Sequence, residues 1–355
     1  MRLPPVLAAL VAVLFTVAGG SLECTPPKQA WAQHRGAEMY GRMCAVCHGQ
    51  KGEGYRADQA PRLAQQDFLA SATDDYLRTA ITDGRPGTTM SAWGREHGGP
   101  LKPADVDATI LFLRTWQKVG VAQLDEHPVS GDVSRGAAVY VKECARCHGD
   151  HGNHGTYIGI GSPPLLKSAS NGFLRYAIHR GRPGTAMPAF EGTLDDGAIE
   201  DVLALLRTWE KEAPPVARAA PARTPPIPLG PVPLNPKGPE PAGFKPQPGT
   251  TPADQIKAQL DRNAKMAILD ARAPSDYANE HIAGAVSVPF YEPDPYFDQL
   301  PKDAWLVCYC SCPHAESGQL ASKLVAHGFK KVTVLDEGLG VWSRKGYPTR
   351  TGLDP

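Results

Sequence analysis

A short motif of two cysteines three positions apart, followed directly by a histidine, occurs twice and constrains this chain more than any other feature. It reads C-A-V-C-H from Cys44 to His48 and C-A-R-C-H from Cys144 to His148. On a helix, residues i and i+3 lie on one face, so both thiols of a copy can reach the edge of one flat partner. The arrangement is typical of haem c attachment, with two thioether bonds and a histidine ligand to the iron.

Two other interpretations of the motif are a redox-active cysteine pair and half of a zinc site. A redox pair needs no histidine after its second cysteine, and a zinc site needs a second pair of ligands at finger-like spacing. Two copies with matched surroundings favour haem. We therefore predict two covalently bound haem c groups, with Cys44, Cys47, Cys144 and Cys147 as attachment sites and His48 and His148 as axial ligands.

The similarity between the two copies extends well beyond the motif. The second motif begins one hundred positions after the first, and D-Y-L-R-T-A-I-T-D-G-R-P-G-T at 75–88 matches G-F-L-R-Y-A-I-H-R-G-R-P-G-T at 172–185. The offset between matching segments falls along the chain, as expected when loops lose residues and helices do not. We predict two domains of one fold, at 34–120 and 131–212, each large enough to fold alone.

Each iron also needs a ligand on its other face. Met90 and Met187 lie at matching places in Gly/Pro-rich loops about forty residues after each motif, and a thioether ligand favours Fe(II). The alternative is that both are ordinary core methionines. We predict them as axial ligands, and we expect the carbonyl groups of Pro61 and Pro163 to accept a hydrogen bond from each histidine Nδ1–H.

The composition and the N-terminus indicate where the chain works. With 37 basic and 37 acidic residues, the sequence offers no electrostatic case for nucleic-acid binding. An arginine, a short apolar run and small residues predict a signal peptide at 1–20, and therefore a periplasmic or other extracytoplasmic protein. An uncleaved N-terminal membrane anchor is the alternative, and lipidation of Cys24 is a third.

The second half of the chain begins with a proline-rich segment. Prolines recur every two to four residues at 213–250, which predicts a semi-rigid linker. Strand-like and helix-like runs then alternate through 251–355, which predicts an α/β domain with a mainly parallel sheet. The predicted reactive site lies where a strand ends at Cys310, since the following loop and helix N-terminus favour a thiolate there.

Two resemblances to known families follow from these segments. The pattern G-A-x-x-Y, C-x-x-C-H-G, L-R-x-x-I, G-R-P-G-T-x-M and a closing helix resembles class I cytochrome c, closest to the compact type in terminal oxidase and dehydrogenase subunits. It implies two all-α cytochrome domains, ligation by His48 with Met90 and by His148 with Met187, and one-electron transfer. The segments around D-A-R-A-P-S-D-Y, Y-C-S-C-P-H-A-E-S-G and L-D-E-G-L-G-V-W-S-R-K-G-Y-P resemble a rhodanese domain, in which Cys310 accepts sulfur.

The thiol loop departs from the rhodanese pattern. No Arg or Lys lies between Cys310 and Ser317, and Glu316 has the wrong sign for binding an anionic sulfur donor. Sulfurtransferase activity at Cys310 is therefore left open, with Cys312 and His314 as further candidates for the site. Cys308 is expected to be a buried apolar residue, while Cys310 and Cys312 face solvent.

Two functions fit these observations. The first is an exported dihaem electron carrier whose rhodanese-like domain binds or oxidises a reduced sulfur compound at Cys310. The second is a plain respiratory shuttle, in which that domain docks or senses without turnover. In both cases the expected partners are redox proteins: a dehydrogenase or quinol-oxidising complex on one side and a terminal oxidase on the other.

Overall fold

The computed structural model describes residues 27–57, 59–212, 232–311 and 314–355. The predicted signal peptide, the first part of the predicted linker, Cys24 and Cys312 lie outside the described residues. No helix within the described ranges is both long enough and apolar enough to span a bilayer.

The first helical domain is built from five helices around one apolar core. They are α1 (Pro27–Met39), α2 (Ala45–His48), α3 (Gln66–Ser71), α4 (Asp74–Asp83) and α5 (Pro103–Arg114). A π-helical turn at Tyr40–Cys44 joins α1 to α2, and a 3-10 turn occupies Arg95–His97. α1 crosses α5 closely at Gly36, where an added Cβ would lie 2.0 Å from the carbonyl oxygen of Ala108. Only a glycine permits this approach.

The second helical domain repeats the same order of elements. Its helices are α6 (Val133–Val139), α7 (Ala145–His148), α8 (Pro163–Ser168), α9 (Asn171–Arg180) and α10 (Asp196–Glu212). A π-helical turn at Tyr140–Cys144 again precedes the motif helix, and a 3-10 turn at Asp150–Gly152 follows it. Gly136 makes the close helix crossing here, since its added Cβ would lie 2.0 Å from the carbonyl oxygen of Asp201.

The two helical domains pack on each other through matching surfaces. The rings of Tyr76 and Phe173, which occupy equivalent positions in the repeat, stack with their centroids 4.8 Å apart. Arg85 lies over the Tyr76 ring and Arg182 lies over the Phe173 ring. Contacts between equivalent residues are typical of a two-fold related pair, and here the two members are the helical domains of one chain.

The α/β domain contains a five-stranded parallel sheet in the order β1-β6-β5-β2-β4. The strands are β1 (Thr250–Thr251), β2 (Met266–Asp270), β3 (His281–Ile282), β4 (Ala285–Ser287), β5 (Trp305–Tyr309), β6 (Val332–Leu335) and β7 (Thr349–Arg350). The helices are α11 (Ala253–Asp261), α12 (Pro274–Asn279), α13 (Ala315–Ala326) and α14 (Gly338–Arg344), with a 3-10 turn at Asp294–Gln299. β3 and β7 pair antiparallel outside the main sheet. The predicted α/β domain with a mainly parallel sheet is confirmed.

Residues 232–250, which the sequence assigned to the linker, lie against the α/β domain. Phe244 is buried in its apolar core, 5.3 Å from Trp305 between ring centroids. The N–H of Gln247 donates to the carbonyl of Val332. The linker prediction is therefore wrong over this part, because one aromatic side chain and a few free N–H groups between the prolines are enough to fix the segment.

Candidate functional site

The first cysteine–histidine motif forms α2 and holds its histidine in one orientation. His48 is buried, and its Nδ1 lies 2.9 Å from the carbonyl oxygen of Pro61. A carbonyl only accepts, so Nδ1 carries the proton and Nε2 of the neutral ring keeps a lone pair. Burial lowers the pKa of His48, although the hydrogen bond to Pro61 acts in the opposite direction. The hydrogen bond predicted for Pro61 is present, and the ring is prepared to bind a metal through Nε2.

The second motif forms α7 and uses a different carbonyl. His148 is buried, and its Nδ1 lies 2.9 Å from the carbonyl oxygen of Ile158. The prediction of Pro163 was wrong, because Pro163 begins α8 and its carbonyl belongs to that helix. Ile158 takes the place of Pro61, which no sequence signal could show, since any residue offers a carbonyl.

The surroundings of the motif cysteines do not suit a redox-active pair. Burial raises the pKa of Cys44 to about 12 and that of Cys144 to about 11, whereas reactive pairs have lowered values. Among the described residues, no group of three or more His, Cys, Asp or Glu side chains is arranged to hold a metal ion. Apolar walls around the thiols are consistent with a large, flat, covalently attached partner.

The two methionine loops share one backbone conformation. The N–H of Arg85 donates to the carbonyl of Met90 at 2.9 Å, and that of Arg182 donates to Met187 at 3.0 Å. A threonine hydroxyl in each loop reaches back to the carbonyl of the same arginine. These matched turns place the two methionines at equivalent points of the two domains.

Arg85 provides a test of whether the first helical domain suits a haem. Its guanidinium is buried, and Nη1 has no hydrogen-bond partner among the described residues. An unpaired buried cationic nitrogen is costly unless an anionic group meets it. Haem carries two propionate carboxylates, so this nitrogen fits the cofactor that the motif predicts.

The thiol site of the α/β domain lies where β5 ends and the chain turns towards α13. Cys310 is fully buried, with an exposed fraction of 0%. Its Sγ lies 3.3 Å from Oγ of Ser317. Cys308 is buried as predicted, but the expectation that Cys310 faces solvent was wrong, because neighbouring elements close over the end of the strand.

Two charged groups border the Cys310 loop without supplying the missing anion-binding arginine. Arg272 donates to Asp270 in a buried ion pair, and its Nη1 lies 3.3 Å from Oγ of Ser311. Glu316 has an exposed fraction of 7%, and burial together with the nearby Cys310 raises its pKa well above the ordinary value. Arg272 is thus neutralised by Asp270, and burial disfavours the charged form of the Glu316 carboxyl.

His314, a further candidate for the thiol site, is directed elsewhere. Its Nε2 lies 2.9 Å from Oδ1 of Asp336, and both side chains are partly exposed. The hydroxyl of Ser317 is therefore a better placed partner for Cys310 than the imidazole that the sequence suggested. Sequence reasoning did not select Ser317, although a serine at the start of a helix after the nucleophile loop was a usable signal.

The fold and the site geometry together define two cytochrome c domains joined to an α/β domain with a buried thiol at the end of a central strand. Comparison with known families agrees. The family described as "Cytochrome C oxidase, cbb3-type, subunit III" matches residues 32–113 and 131–206, and the "Rhodanese-like domain" family matches 252–345. The helical part of the chain, at 32–113 and 131–206, therefore belongs with cbb3-type cytochrome c domains, and its C-terminal part, at 252–345, is a rhodanese-like domain.

Individual relatives are of two kinds, cytochrome c oxidase subunits and a sulfurtransferase. The chain is 29% identical over 202 residues to the Cbb3-type cytochrome c oxidase subunit FixP of Bradyrhizobium sp., covering 54% of this chain and 65% of that protein. It is 29% identical over 190 residues to the subunit CcoP of Azospirillum sp., covering 48% and 60%. The thiosulfate sulfurtransferase GlpE of Pseudomonas fluorescens is 34% identical over 101 residues, covering 28% of this chain and 88% of GlpE.

The chain spans 60–65% of the length of the two oxidase subunits, so they are relatives of its helical part only. Cytochrome c domains of this kind carry haem c, which is attached covalently, and transfer electrons.

Proposed function

We propose that the chain is a dihaem electron carrier with one haem c in each helical domain. Cys44 and Cys47 hold the first haem, and Cys144 and Cys147 hold the second. His48 with Met90, and His148 with Met187, are the axial ligands. The observation that carries this proposal is the pair of buried histidines, each fixed by a backbone carbonyl so that Nε2 is available to iron.

The residues of the chain have separate tasks in this scheme. When bound, each haem c accepts or gives one electron. The carbonyls of Pro61 and Ile158 hold the two histidine rings in one orientation with the proton on Nδ1, and burial disfavours the charged form of each ring. Nη1 of Arg85, which has no hydrogen-bond partner among the described residues, could compensate the charge of a propionate. A haem stain and a protein mass raised by two haems test this assignment, and the mass of one haem would contradict it.

We further propose that Cys310 oxidises a small reduced sulfur species and that its electrons leave through the helical domains. With hydrosulfide as donor, Cys310–SH and HS⁻ give Cys310–S–SH, one proton and two electrons. One S–H bond breaks, one S–S bond forms, and the proton goes to solvent. The helical domains would supply the oxidant: the haem that Cys44, Cys47 and His48 would hold and the haem that Cys144, Cys147 and His148 would hold could each accept one electron, which would match one two-electron oxidation.

The surroundings of Cys310 favour a small donor over thiosulfate. A doubly charged oxyanion needs a cation in the loop, and the nearest arginine, Arg272, is already paired with Asp270. Cys310 is fully buried, which also restricts the size of a donor.

The sulfur proposal is tested by anaerobic mixing of the full chain with sulfide, persulfide or thiosulfate while following the absorbance of reduced haem. Sulfide or persulfide is expected to reduce both haems, and thiosulfate much more slowly. Cys310→Ser is expected to abolish this reduction, whereas the control Cys308→Ala, two residues earlier in β5, should retain it. Reduction at an unchanged rate in Cys310→Ser contradicts a role of this thiol.

A second candidate is a respiratory shuttle whose rhodanese-like domain does not turn over. The full burial of Cys310 favours it, because a covered thiol suits docking or sensing. It predicts no reduction by any sulfur donor, together with undiminished electron transfer from a redox protein in Cys310→Ser. In either case we propose an extracytoplasmic location and a terminal oxidase as acceptor, supported by the likeness to oxidase subunits.

A further inference from the structure

The segment that directly follows Met90 is bound to the α/β domain. The hydroxyl of Ser91 donates to Oδ2 of Asp276 at 2.5 Å, and Ser91 has an exposed fraction of 4%. The hydroxyl of Ser275 donates to the carbonyl of Ala92 at 2.8 Å. Two hydrogen bonds with residues at the start of α12 therefore fix the loop that presents the proposed iron ligand.

A second set of contacts joins the same two domains near the first motif. Trp93 packs edge-on against Tyr291, with ring centroids 5.7 Å apart. Arg42, on the π-helical turn before Cys44, donates to the carbonyl of Tyr291 at 3.4 Å and lies 3.5 Å from the Glu292 carboxylate. α2, the motif helix, also approaches α13. Both the ligand loop and the motif helix of the first helical domain thus face the α/β domain.

This interface borders the thiol site. α13 begins just after the Cys310 loop, and the motif helix α2 of the first helical domain approaches α13. Asp276 is in turn the acceptor for Ser91. The first helical domain is therefore docked on α12 and on α13, the helix that follows the Cys310 loop.

The second helical domain differs from the first at the positions that make these contacts. Ser91 corresponds to Pro188, Trp93 to Phe190, and Arg42 to Lys142, although the methionine loops have the same backbone turn. Proline has no hydroxyl to donate, so the repeat does not reproduce the docking surface. The second domain instead contacts the first, where Arg62 donates to the carbonyl of Gly184 at 3.2 Å.

We propose that Ser91, Ser275 and Asp276 are positioning residues that dock the first helical domain on the thiol site and make it the entry point for electrons from Cys310. The second helical domain is then the exit towards the partner protein. This inference rests on the proposed sulfur oxidation at Cys310. It adds an order of electron transfer, from the Cys310 thiol to the first helical domain and then to the second.

The docking is tested by the access of a thiol reagent to Cys310 in the full chain, with alkylation located by mass spectrometry. Ser91→Ala combined with Ser275→Ala removes two hydrogen bonds, which shifts the balance between docked and undocked forms by about 30-fold. We expect alkylation of Cys310 to speed up by a comparable factor. Arg42→Ala gives a smaller increase in the same direction, and the matched control Lys142→Ala gives none. Equal rates in all four proteins overturn the docking role.

The order of the centres is tested by a matched pair of ligand variants. A histidine in place of methionine lowers the potential of a haem. Met90→His is expected to slow sulfide-driven reduction of both haems, whereas Met187→His is expected to slow reduction of the second haem more than that of the first. The reverse pattern places entry at the second domain and overturns the inference. If Cys310→Ser leaves sulfide-driven reduction unchanged, the proposed function itself fails, which is a separate result.

Discussion

The buried carboxyl of Glu316 should make the stability of the α/β domain depend measurably on pH. It lies beside Cys310 in the first turn of α13 and is 7% exposed, with no cation paired to it in a described salt bridge. Burial, followed by the nearby Cys310, raises its pKa well above the ordinary value. Replacing it by glutamine in Glu316→Gln keeps the size and polarity of the side chain and removes its titration.

The sign and size of the effect follow from linkage. Below about pH 4.3, the ordinary pKa of glutamate, the carboxyl is protonated in both the folded and the unfolded chain. Above it, the unfolded chain loses this proton while the folded chain keeps it, so rising pH favours unfolding. The stability of the unmodified α/β domain should fall, relative to Glu316→Gln, by about 1.4 kcal/mol per pH unit. This continues until the pH reaches the raised pKa of the folded state.

Hydrogen exchange read by mass spectrometry on peptides from β5 measures this free energy in the full chain. The difference between the unmodified chain and Glu316→Gln is compared at pH 5, 6 and 7, with Glu240→Gln as the control. Glu240 forms an exposed ion pair with Lys331, which contributes little to stability. A free-energy difference that stays constant over this range would show that Glu316 is ionised in the folded protein and would refute the reasoning.

Two further changes test the packing that supports the sites. Gly36→Ala places a Cβ 2.0 Å from the carbonyl oxygen of Ala108 and should destabilise the first helical domain by about 1–3 kcal/mol, seen as a lower thermal midpoint. The control Gly41→Ala meets nothing within 4 Å and should be neutral or slightly stabilising. Arg272→Met leaves the buried Asp270 carboxylate unpaired and should cost the α/β domain about 3–5 kcal/mol in denaturant unfolding. A change in unfolding free energy within the error of the measurement would contradict a stabilising role of the Arg272–Asp270 ion pair.

The fold was predictable where the sequence repeats or where its apolar runs are long. The apolar runs that became β2, β5 and β6 were read directly as strands, and the two helical domains followed from matched segments. The two-residue strands β3 and β7 were not, because two residues carry no periodic signal. The burial of Phe244 was missed because the surrounding prolines dominate the local composition.

Site residues that act through their side chains could be predicted from the sequence, whereas those that act through backbone groups could not. Motif cysteines and histidines are visible in the sequence because their chemistry requires those residue types. The Ile158 carbonyl is invisible, since every residue has one and only the course of the loop selects it. The burial of Cys310 was also missed, because it depends on elements distant in sequence that close over the end of β5.

The most informative residues are those at which the two helical domains differ while their common fold is kept. Tyr40 and Tyr140 both donate to the carbonyl of the glycine after the motif, so this contact is the same in the two domains. The differences at Ser91 and Arg42 are instead confined to the face that meets the α/β domain. Two identical carriers would exchange electrons with Cys310 equally well and give no direction to the flow. A docking surface on the first copy only supports the proposed order, in which electrons enter at the first helical domain and leave from the second.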